Sequence, residues 1–512
     1  MPQYFGHIPF VALLLALNGC AQLEAKPELP AESARPISDE TRLDRLVGDA
    51  EAAHPGKSAF RLVSDGREAF VLRWFSAERA ERSIDVQTYI WHADTTGLAL
   101  ASRLLSAADR GVRVRLLVDD MDARSKNVGF AALQAHPNID VRMFNPFATR
   151  WGTVRFVGEA ARSFKRINRR MHNKSWLVDN RIALVGGRNL GDEYFGASES
   201  VNMEDLEFVM AGPVVRDISA SFDHFWNSPV AYPIELLDAG SVTDENLQAL
   251  RERLAKADAE AKSGWYAEGL RSGDPMQRLL HGDWPVQWSG EYTFVSDDPL
   301  KATGTLDDAD ASNVGKLLFP AMWATESKLT IISPYFVPGD QGAAALVDIA
   351  REPKKVLILT NSLASNDVAA VHGGYSKERK TLLEGGVELW EIKPTGGTQV
   401  ASTFKGSSGA GLHTKALTID GKRLFVGSYN LDPRSTALNS EQGVMVEDAV
   451  LAEQLEAIFA IQTSDANAWR VTLQDGKLSW TDGTDTYDSD PKASMWRRFQ
   501  AWFARAFGLE SQ

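Results

Sequence analysis

Two stretches of the sequence share one pattern, and this pattern decides the fold. Residues 172–189 read HNKSWLVDNRIALVGGRN, and residues 413–430 read HTKALTIDGKRLFVGSYN. Both satisfy H-x-K-x4-D-x6-G-[GS]-x-N without a gap. In each copy the apolar and β-branched run after the lysine predicts a strand. Packing alone does not require His, Lys, Asp, Gly and Asn at equal spacings twice, so the pattern predicts two related halves with a common chemical task.

The sequence upstream of each motif copy repeats one order of elements. Strands rich in β-branched residues are predicted at 83–91, 112–120 and 139–146 in the first half and at 328–336, 354–362 and 386–394 in the second. A helix is predicted between the first two strands of each half, at 97–110 and at 342–351. Strands that alternate with helices predict an α/β fold with parallel-rich sheets.

The length of 512 residues fits two large domains with extensions. The predicted boundaries are a signal peptide at 1–19, a tether at 20–41, a first domain at 42–235, a helical connector at 236–300, a second domain at 301–468, and a hairpin with an amphipathic helix at 469–512. The tether contains several prolines and cannot form a core by itself. The hairpin is predicted from the turn signal Asp475-Gly476.

The N-terminus contains the only cysteine of the chain. Residues 8–17, IPFVALLLAL, are too short to span a bilayer as a mature helix and are typical of a signal peptide. Together with Leu17 and Gly19, Cys20 resembles the lipidation site of a bacterial lipoprotein. The alternative is a cleaved secretory signal with an incidental cysteine. The lipoprotein interpretation predicts a cell-envelope protein anchored at the periplasmic face of the outer membrane.

Composition excludes several classes of protein. Hydrophobic residues make up 44% of the chain, which excludes global disorder. One cysteine excludes an internal disulfide and a multi-cysteine zinc site. Lys and Arg number 55 against 68 Asp and Glu, giving a net charge of −13, which argues against a broad duplex-DNA binder.

Two further patterns leave alternatives open. The C-terminal helix 495–507 carries an aromatic stripe, which indicates either an interfacial helix at a membrane or a helix docked on the core; the stripe comprises Trp496, Phe499, Phe503 and Phe507. A basic run precedes the first motif histidine and favours either contacts to anionic lipid headgroups or a solvated charge run. This basic run comprises Arg162, Lys165, Arg166, Arg169 and Arg170.

The motif residues suit chemistry at an anionic phosphodiester. A strand alternates its faces, so His172 and Lys174 point the same way, as do His413 and Lys415. Histidine can act as a nucleophile and can transfer protons near neutral pH. Lysine and amide donors can stabilise charge on phosphoryl oxygens. Two histidines therefore meet the needs of a two-step displacement, in which one attacks and the other protonates the leaving oxygen.

The duplicated motif resembles that of the phospholipase D superfamily over roughly residues 45–470. The stretches HNKSWLVDNRIALVGGRNLGDEYFG (172–196), GSYNLDPRSTALNSE (427–441) and LTNSLASNDVAAVHGGY (359–375) are similar to bacterial cardiolipin synthases, and most similar to the C-type members. The resemblance implies two repeated domains, each with a mixed, parallel-rich β-sheet flanked by helices. The halves would be related by a pseudo-twofold axis and share one active site.

The resemblance also implies roles for individual residues. His172 would form a covalent phosphohistidine and His413 would donate a proton, although the symmetric repeat leaves the reverse assignment open. The other implied site residues are the phosphate-binding Lys174, Lys415, Asn189, Asn430, Gly187 and Ser428, the histidine-orienting Asp205 and Glu441, and the catalytic-motif residues Asp179 and Asp420, which would support the loops and the lysines. No metal and no cofactor are expected.

The reaction implied by the resemblance is phosphatidyl transfer between phospholipids. Cardiolipin would form from phosphatidylglycerol, with phosphatidylethanolamine or a second phosphatidylglycerol as donor. The alternatives are hydrolysis of phospholipid to phosphatidic acid, a secreted phosphodiesterase or nuclease, and a non-catalytic lipid-binding lipoprotein. The expected partners are phospholipids and a membrane surface, without nucleic acid; the sequence does not indicate a protein partner.

Overall fold

A computed structural model provides the structure of the chain. It describes residues 23, 26–126, 129–149, 159, 163–199, 201–263, 285–306, 312–351, 353–366, 368–394 and 411–507. The predicted signal peptide and Cys20 lie outside these residues. Within these ranges, no helix combines the length and the apolar character needed to cross a bilayer.

The first half is built on a nine-stranded sheet in the order β8-β4-β3-β2-β5-β6-β7-β1-β9. Its strands are β1 (Ser58–Val63), β2 (Ser83–Thr88), β3 (Arg113–Asp119), β4 (Ile139–Phe144), β5 (Ser175–Val178), β6 (Ile182–Gly186), β7 (Glu207–Ala211), β8 (Ala231–Pro233) and β9 (Gln287–Ser289). The helices are α1 (Arg42–Ala53), α2 (Gly66–Arg79), α3 (Thr95–Asp109), α4 (Asp120–Lys126), α5 (Phe130–Gln134), α6 (Phe164–Ile167), α7 (Pro213–Asn227), α8 (Glu235–Asp238) and α9 (Asp244–Ser263).

The second half is built on a ten-stranded sheet in the order β10-β16-β15-β14-β11-β12-β13-β17-β18-β19. Its strands are β10 (Tyr292–Ser296), β11 (Lys328–Ile332), β12 (Lys355–Asn361), β13 (Glu388–Ile392), β14 (Ala416–Ile419), β15 (Arg423–Gly427), β16 (Gln442–Glu447), β17 (Ala468–Gln474), β18 (Lys477–Thr481) and β19 (Thr486–Tyr487). The helices are α10 (Asn313–Trp323), α11 (Gly339–Ile349), α12 (Ala369–Glu384), α13 (Pro433–Ala437), α14 (Ala449–Gln462) and α15 (Met495–Phe507).

The predicted α/β fold with two mixed sheets is confirmed, but the parallel share is smaller than predicted. Among the named strands of the part of the chain that the structure describes, parallel pairing is confined to β2, β3 and β4 in the first sheet and to β11, β12 and β13 in the second. Helices α3, α4 and α5 cross over between these strands in the first sheet, and α11 and α12 do so in the second. The motif strands form hairpins, β5 with β6 and β14 with β15, and hairpins pair antiparallel.

The two halves share a buried core and a pair of reciprocal backbone contacts. Phe60, Phe208 and Trp226 of the first half belong to one apolar cluster with Leu424 and Phe459 of the second. Two isolated bridges join the halves next to the motif histidines, Met171 with Ser440 and Glu204 with Leu412. Each bridge pairs the residue before a motif histidine with the residue before a predicted orienting carboxylate. The contacts therefore follow the predicted pseudo-twofold relation.

The connector and the tether are more closely integrated than predicted. The predicted helical connector 236–300 also contains β9, which extends the first sheet, and β10, which extends the second. Part of the predicted tether packs on the first half, where Glu32 pairs with Arg142 at 2.7 Å and the backbone N–H of Ala34 donates to Asp223 at 2.7 Å. A proline-rich composition did not reveal these contacts because they depend on polar partners distant in sequence.

The basic run takes neither of its predicted roles over most of its length. Arg170 is buried and pairs with Asp119 at 3.0 Å. Arg169 donates to two carbonyl groups of the second half, and Arg166 donates to the carbonyl oxygen of Pro146 and the amide oxygen of Asn145 within the first. Arg162 lies outside the described residues. Most of this run therefore fixes the loop before the first motif rather than facing lipid or water.

Candidate active site

The motif histidines lie where the two halves meet. His172 precedes β5 by three positions and His413 precedes β14 by three positions, and each is more than nine-tenths buried. β5 runs antiparallel to β2, so its beginning lies beside the carboxyl end of β2. The same relation places His413 at the carboxyl end of β11. Loops at the carboxyl ends of parallel strands are where α/β sheets form ligand sites.

Each histidine is held by a carboxylate of the opposite half. Nδ1 of His172 lies 2.8 Å from Oε2 of Glu441, and Nδ1 of His413 lies 2.6 Å from Oδ2 of Asp205. The sequence predicted that both carboxylates orient the histidines, but it did not indicate which carboxylate holds which histidine. The crossed arrangement means that neither half holds a complete set of groups by itself. A carboxylate on Nδ1 favours the tautomer that leaves Nε2 free to react.

Burial keeps both imidazoles neutral. It lowers the pKa of His172 from 6.5 to about 4, against the opposing effect of the Glu441 charge. Burial, followed by the charge of Lys415, lowers the pKa of His413 to about 3. For Glu441 burial acts in the raising direction, but the contacts with His172, the charge of Lys174 and the hydrogen bond from Ser428 together outweigh it, and the pKa is lowered. The free site therefore contains neutral histidines beside ionised carboxylates.

The two lysines are buried beside the histidines. Nζ of Lys174 donates to the carbonyl oxygen of His172, and Nζ of Lys415 donates to that of His413. Burial lowers the pKa of Lys174 well below its ordinary value. The charge of Lys415 also acts on His172, and that of Lys174 acts on His413, so the four groups share one electrostatic environment. An anionic ligand in this space would stabilise the protonated amines.

Two tyrosines complete the site and were not predicted from the sequence. The ring of Tyr89 lies edge-on to His172 with centroids 5.3 Å apart, and that of Tyr194 lies edge-on to His413 at 5.2 Å. The hydroxyl of Tyr194 accepts a hydrogen bond from Asn189 at 3.0 Å. Tyr89 directly follows β2, whereas the residue directly after β11 is Ser333, so the repeat does not mark this position.

The predicted phosphate-binding side chains differ in their availability. The side chain of Asn189 is engaged by Tyr194 and by the backbone N–H of Ile90. Asn430 Oδ1 is buried without a hydrogen-bond partner in the described parts of the chain. The hydroxyl of Ser428 donates to Glu441, so this side chain supports the carboxylate instead of presenting a donor to phosphate.

The motif aspartates lie away from the histidines, which does not fit the catalytic assignment implied by the motif. Asp179 accepts hydrogen bonds from the backbone N–H groups of Arg82 and Ser83 at 2.8 and 2.9 Å. Asp420 accepts in the same way from Ser327 and Lys328 at 2.7 and 3.0 Å. Each follows its motif strand at the end opposite to the histidine. The geometry supports the loop-stabilising role that was also predicted for them.

Replacing Gly187 by alanine should lower activity by about tenfold or more, because a Cβ at this position would collide with Oδ1 of Asp205. The displaced carboxylate would shift His413 from its position. Steady-state rates and circular dichroism of Gly187→Ala test this expectation. Gly196→Ala is a poor control because its φ of 76° strains any side chain; Gly48→Ala, with open space around the added carbon, is the matched control. Equal rates for Gly187→Ala and the parent would contradict it.

Comparison with known proteins identifies related sequences along nearly the whole chain. The family described as "Cardiolipin synthase, PLD-like domain" matches residues 76–226 and 318–462. Cardiolipin synthase C of Escherichia coli (strain K12) is 40% identical over 480 residues, which cover 92% of this chain and 99% of that protein. Cardiolipin synthase A of Pseudomonas syringae pv. syringae (strain B728a) is 26% identical over 415 residues, covering 80% of this chain and 69% of that protein.

A solved structure has the same fold. The phosphatidylserine synthase of Haemophilus influenzae Rd KW20 superposes with a TM-score of 0.55 at 12% identity, covering 91% of this chain and 97% of that one. Both family matches contain one motif copy each, so the repeat seen in the sequence coincides with the matched regions.

Proposed function

Because this chain belongs to the family of cardiolipin synthases with phospholipase D-like domains, we propose that it transfers phosphatidyl groups between phospholipids and makes cardiolipin. The observation that carries the proposal is the crossed pair of buried histidines, His172 on Glu441 and His413 on Asp205. Lys174 and Lys415 beside them supply positive charge for one phosphodiester. The site thus has a nucleophile, an acid and an anion-binding pair within one enclosed space.

The reaction would proceed by two displacements at phosphorus. In the first, Nε2 of His172 attacks the donor phosphodiester, the bond from phosphorus to the headgroup oxygen breaks, and His413 gives a proton to that oxygen. In the second, a glycerol hydroxyl of phosphatidylglycerol attacks the phosphohistidine, His413 takes the hydroxyl proton, and the P–N bond breaks. An anionic phosphodiester favours the protonated form of His413 that the first step needs, offsetting the effect of burial.

The carboxylates support each step through the histidines that they hold. Glu441 accepts Nδ1–H of His172 and stabilises the positive charge that develops on the ring during attack. Its own position is fixed by hydrogen bonds from Ser428 and Ser435. Asp205 plays the equivalent part for His413 and is fixed by the backbone N–H of Leu206 at 2.8 Å.

Membrane attachment belongs to the same proposal. Lipidation of Cys20 would hold the enzyme at the surface that contains its substrates, in the cell envelope. One acyl-type anchor gives only weak binding, so a second attachment is expected to contribute. A substrate in the same membrane would then reach the site without leaving the lipid phase.

The proposal is tested with purified enzyme and vesicles of phosphatidylglycerol and phosphatidylethanolamine. Mass spectrometry should detect cardiolipin together with free ethanolamine if phosphatidylethanolamine is the donor, or with free glycerol if phosphatidylglycerol is. Excess EDTA should leave the rate unchanged, because the step is assigned to protein groups alone. Phosphatidic acid as the sole product would overturn the synthase assignment and favour hydrolysis.

A further inference from the structure

The C-terminal helix α15 exposes a continuous aromatic surface. This aromatic face consists of Met495, Trp496, Phe499, Trp502 and Phe503, all of which are exposed. Its rings contact one another, with centroids 5.5 Å apart between Trp496 and Phe499 and 5.9 Å apart between Phe499 and Trp502. The side chain of Phe507, predicted as part of the stripe, lies outside the described residues. Contiguous exposed apolar surface of this kind marks a contact site.

The opposite side of α15 is fixed to the second half, so the aromatic face cannot turn inward. Ala501 and Ala504 are buried against α12. A Cβ on Gly373 of α12 would lie 2.7 Å from the carbonyl oxygen of Ala501, which shows how closely the two helices approach. The guanidinium of Arg497 is buried and donates to the carbonyl oxygen of Ala364 at 3.1 Å. Of the two predicted positions for the stripe, the core-facing one is therefore wrong.

The loop that holds α15 also adjoins the active site. Strand β12 ends at Asn361, whose side-chain amide donates to the carbonyl oxygen of Leu412 at 3.0 Å. Leu412 directly precedes His413. The next residues along the chain form the loop to which Arg497 donates. The beginning of α15 thus lies at the carboxyl ends of the parallel strands, the same end of the sheet that bears the active site.

The charge of α15 favours an anionic surface. Residues 495–507 contain three arginines and no Asp or Glu, in a chain whose net charge is −13. Arg505 is exposed beside the aromatic face. Aromatic rings flanked by arginine are the side chains that enter lipid headgroup regions. A second copy of the chain fits less well, because a stable protein interface uses about 20–30 residues a side, whereas the aromatic face has five.

We propose that the aromatic face docks the enzyme on an anionic phospholipid bilayer. Docking brings the carboxyl ends of the parallel strands, where His172 and His413 lie, to the bilayer surface. The inference rests on the proposed function, since it gives that site access to lipid held in a bilayer. The rings enter among the headgroups while the exposed Arg505 contacts phosphate. Docking through α15 is independent of Cys20.

The test uses the chain from residue 21, which lacks the predicted lipid attachment; every described helix and strand begins at Arg42 or later. Wild type should sediment with vesicles of phosphatidylglycerol and phosphatidylethanolamine. Changing Trp496, Phe499, Trp502 and Phe503 together to Ser should weaken vesicle binding by at least about a hundredfold, because each ring loses its apolar contact with lipid. Unchanged binding by this quadruple variant would overturn the proposal.

A matched pair of single variants controls for general loss of exposed apolar surface. Trp502 and Trp323 are 54% and 52% exposed. Trp323 lies before β11, at the amino end of that strand and therefore at the end of the sheet opposite to the active site. Trp502→Ser should weaken vesicle binding by about tenfold, whereas Trp323→Ser should leave it unchanged. An equal effect of both changes would contradict a specific aromatic face.

Two further measurements separate docking from catalysis and from folding. Wild type and the quadruple variant should turn over short-chain phosphatidylglycerol equally when its concentration is below that at which micelles form. If neither protein turned it over, the proposed function would be rejected, and docking would be judged by vesicle sedimentation. The conservative variant Trp496→Phe with Trp502→Phe should keep vesicle binding but lose part of the fluorescence quenching by brominated phosphatidylglycerol. Quenching equal to that of wild type would place the rings outside the bilayer. If wild type were a dimer, and if the quadruple variant were a monomer that still bound vesicles as wild type does, the aromatic face would be assigned to self-association.

Discussion

Replacing either His172 or His413 by alanine should reduce phosphatidyl transfer by at least about 10⁴-fold, equivalent to more than about 5 kcal/mol of activation free energy. One histidine carries the phosphatidyl group and the other moves the proton, so neither step can proceed with only one of them. The effects should be strongly non-additive, and the double variant should be little worse than either single variant. Cardiolipin formation from radiolabelled phosphatidylglycerol provides the measurement.

Folding of the two alanine variants provides the control, and its pH dependence has a defined sign. Burial holds the pKa of His172 at about 4 in the folded protein, below the ordinary value of 6.5. The unfolded chain therefore binds more protons as the pH falls from about 6.5, and the folded state loses stability in that window. His172→Ala removes this loss, so its Tm should fall less than that of wild type between pH 7 and pH 4.5.

Near-normal turnover by either alanine variant would reject the two-histidine mechanism.

The identity of the nucleophile can be separated from the loss of activity. A phosphatidyl ester with a nitrophenyl leaving group needs little protonation as it departs. With this substrate, His413→Ala should still form a phosphohistidine on His172, whereas His172→Ala should form none. Peptide mapping of the trapped enzyme identifies the modified residue. Modification of His413 in His172→Ala would reverse the proposed roles.

The repeated elements were predictable because they depend on local patterns. Runs rich in β-branched residues, alternating with short apolar helices, predicted the strands that became β2, β3 and β11–β13. The Asp475-Gly476 signal predicted the hairpin of β17 and β18. The antiparallel majority was missed because the pairing partners of β1 and β7 are more than 140 residues apart in sequence. Periodicity reports which face of a strand is buried but not which strand lies beside it.

The motif residues of the candidate site were predictable from their repeated spacing, whereas the pairing of the histidines with carboxylates was not. Asp205 and Glu441 were expected from the family resemblance, but only the arrangement of the halves assigns Glu441 to His172 and Asp205 to His413. Arg170 shows the opposite failure. Its charge indicated a surface role, yet the buried Asp119 neutralises it within the fold. Partners distant in sequence decide both cases.

Changing Glu441 to Gln, or Asp205 to Asn, should lower kcat by about 10²–10⁴-fold with little change in KM. The amide keeps the shape of the carboxylate but can donate to Nδ1, which favours the tautomer with a proton on Nε2 and removes the lone pair needed for attack. It also provides no negative charge for the protonated ring. The carboxylates act through the histidines and not on the lipid, so substrate binding should be preserved.

The crossed geometry gives this prediction a direction that a merely structural role would lack. Glu441 belongs to the second half of the chain but holds His172 of the first. With the nitrophenyl substrate, Glu441→Gln should therefore slow formation of the phosphohistidine on His172, whereas Asp205→Asn should slow it little, because that substrate needs no acid from His413. The control is Glu456→Gln, whose carboxylate contacts Lys328 and Thr330 at the far end of β11. If Asp205→Asn blocked the first step and Glu441→Gln did not, His413 would be the nucleophile and the roles of the two halves would be exchanged.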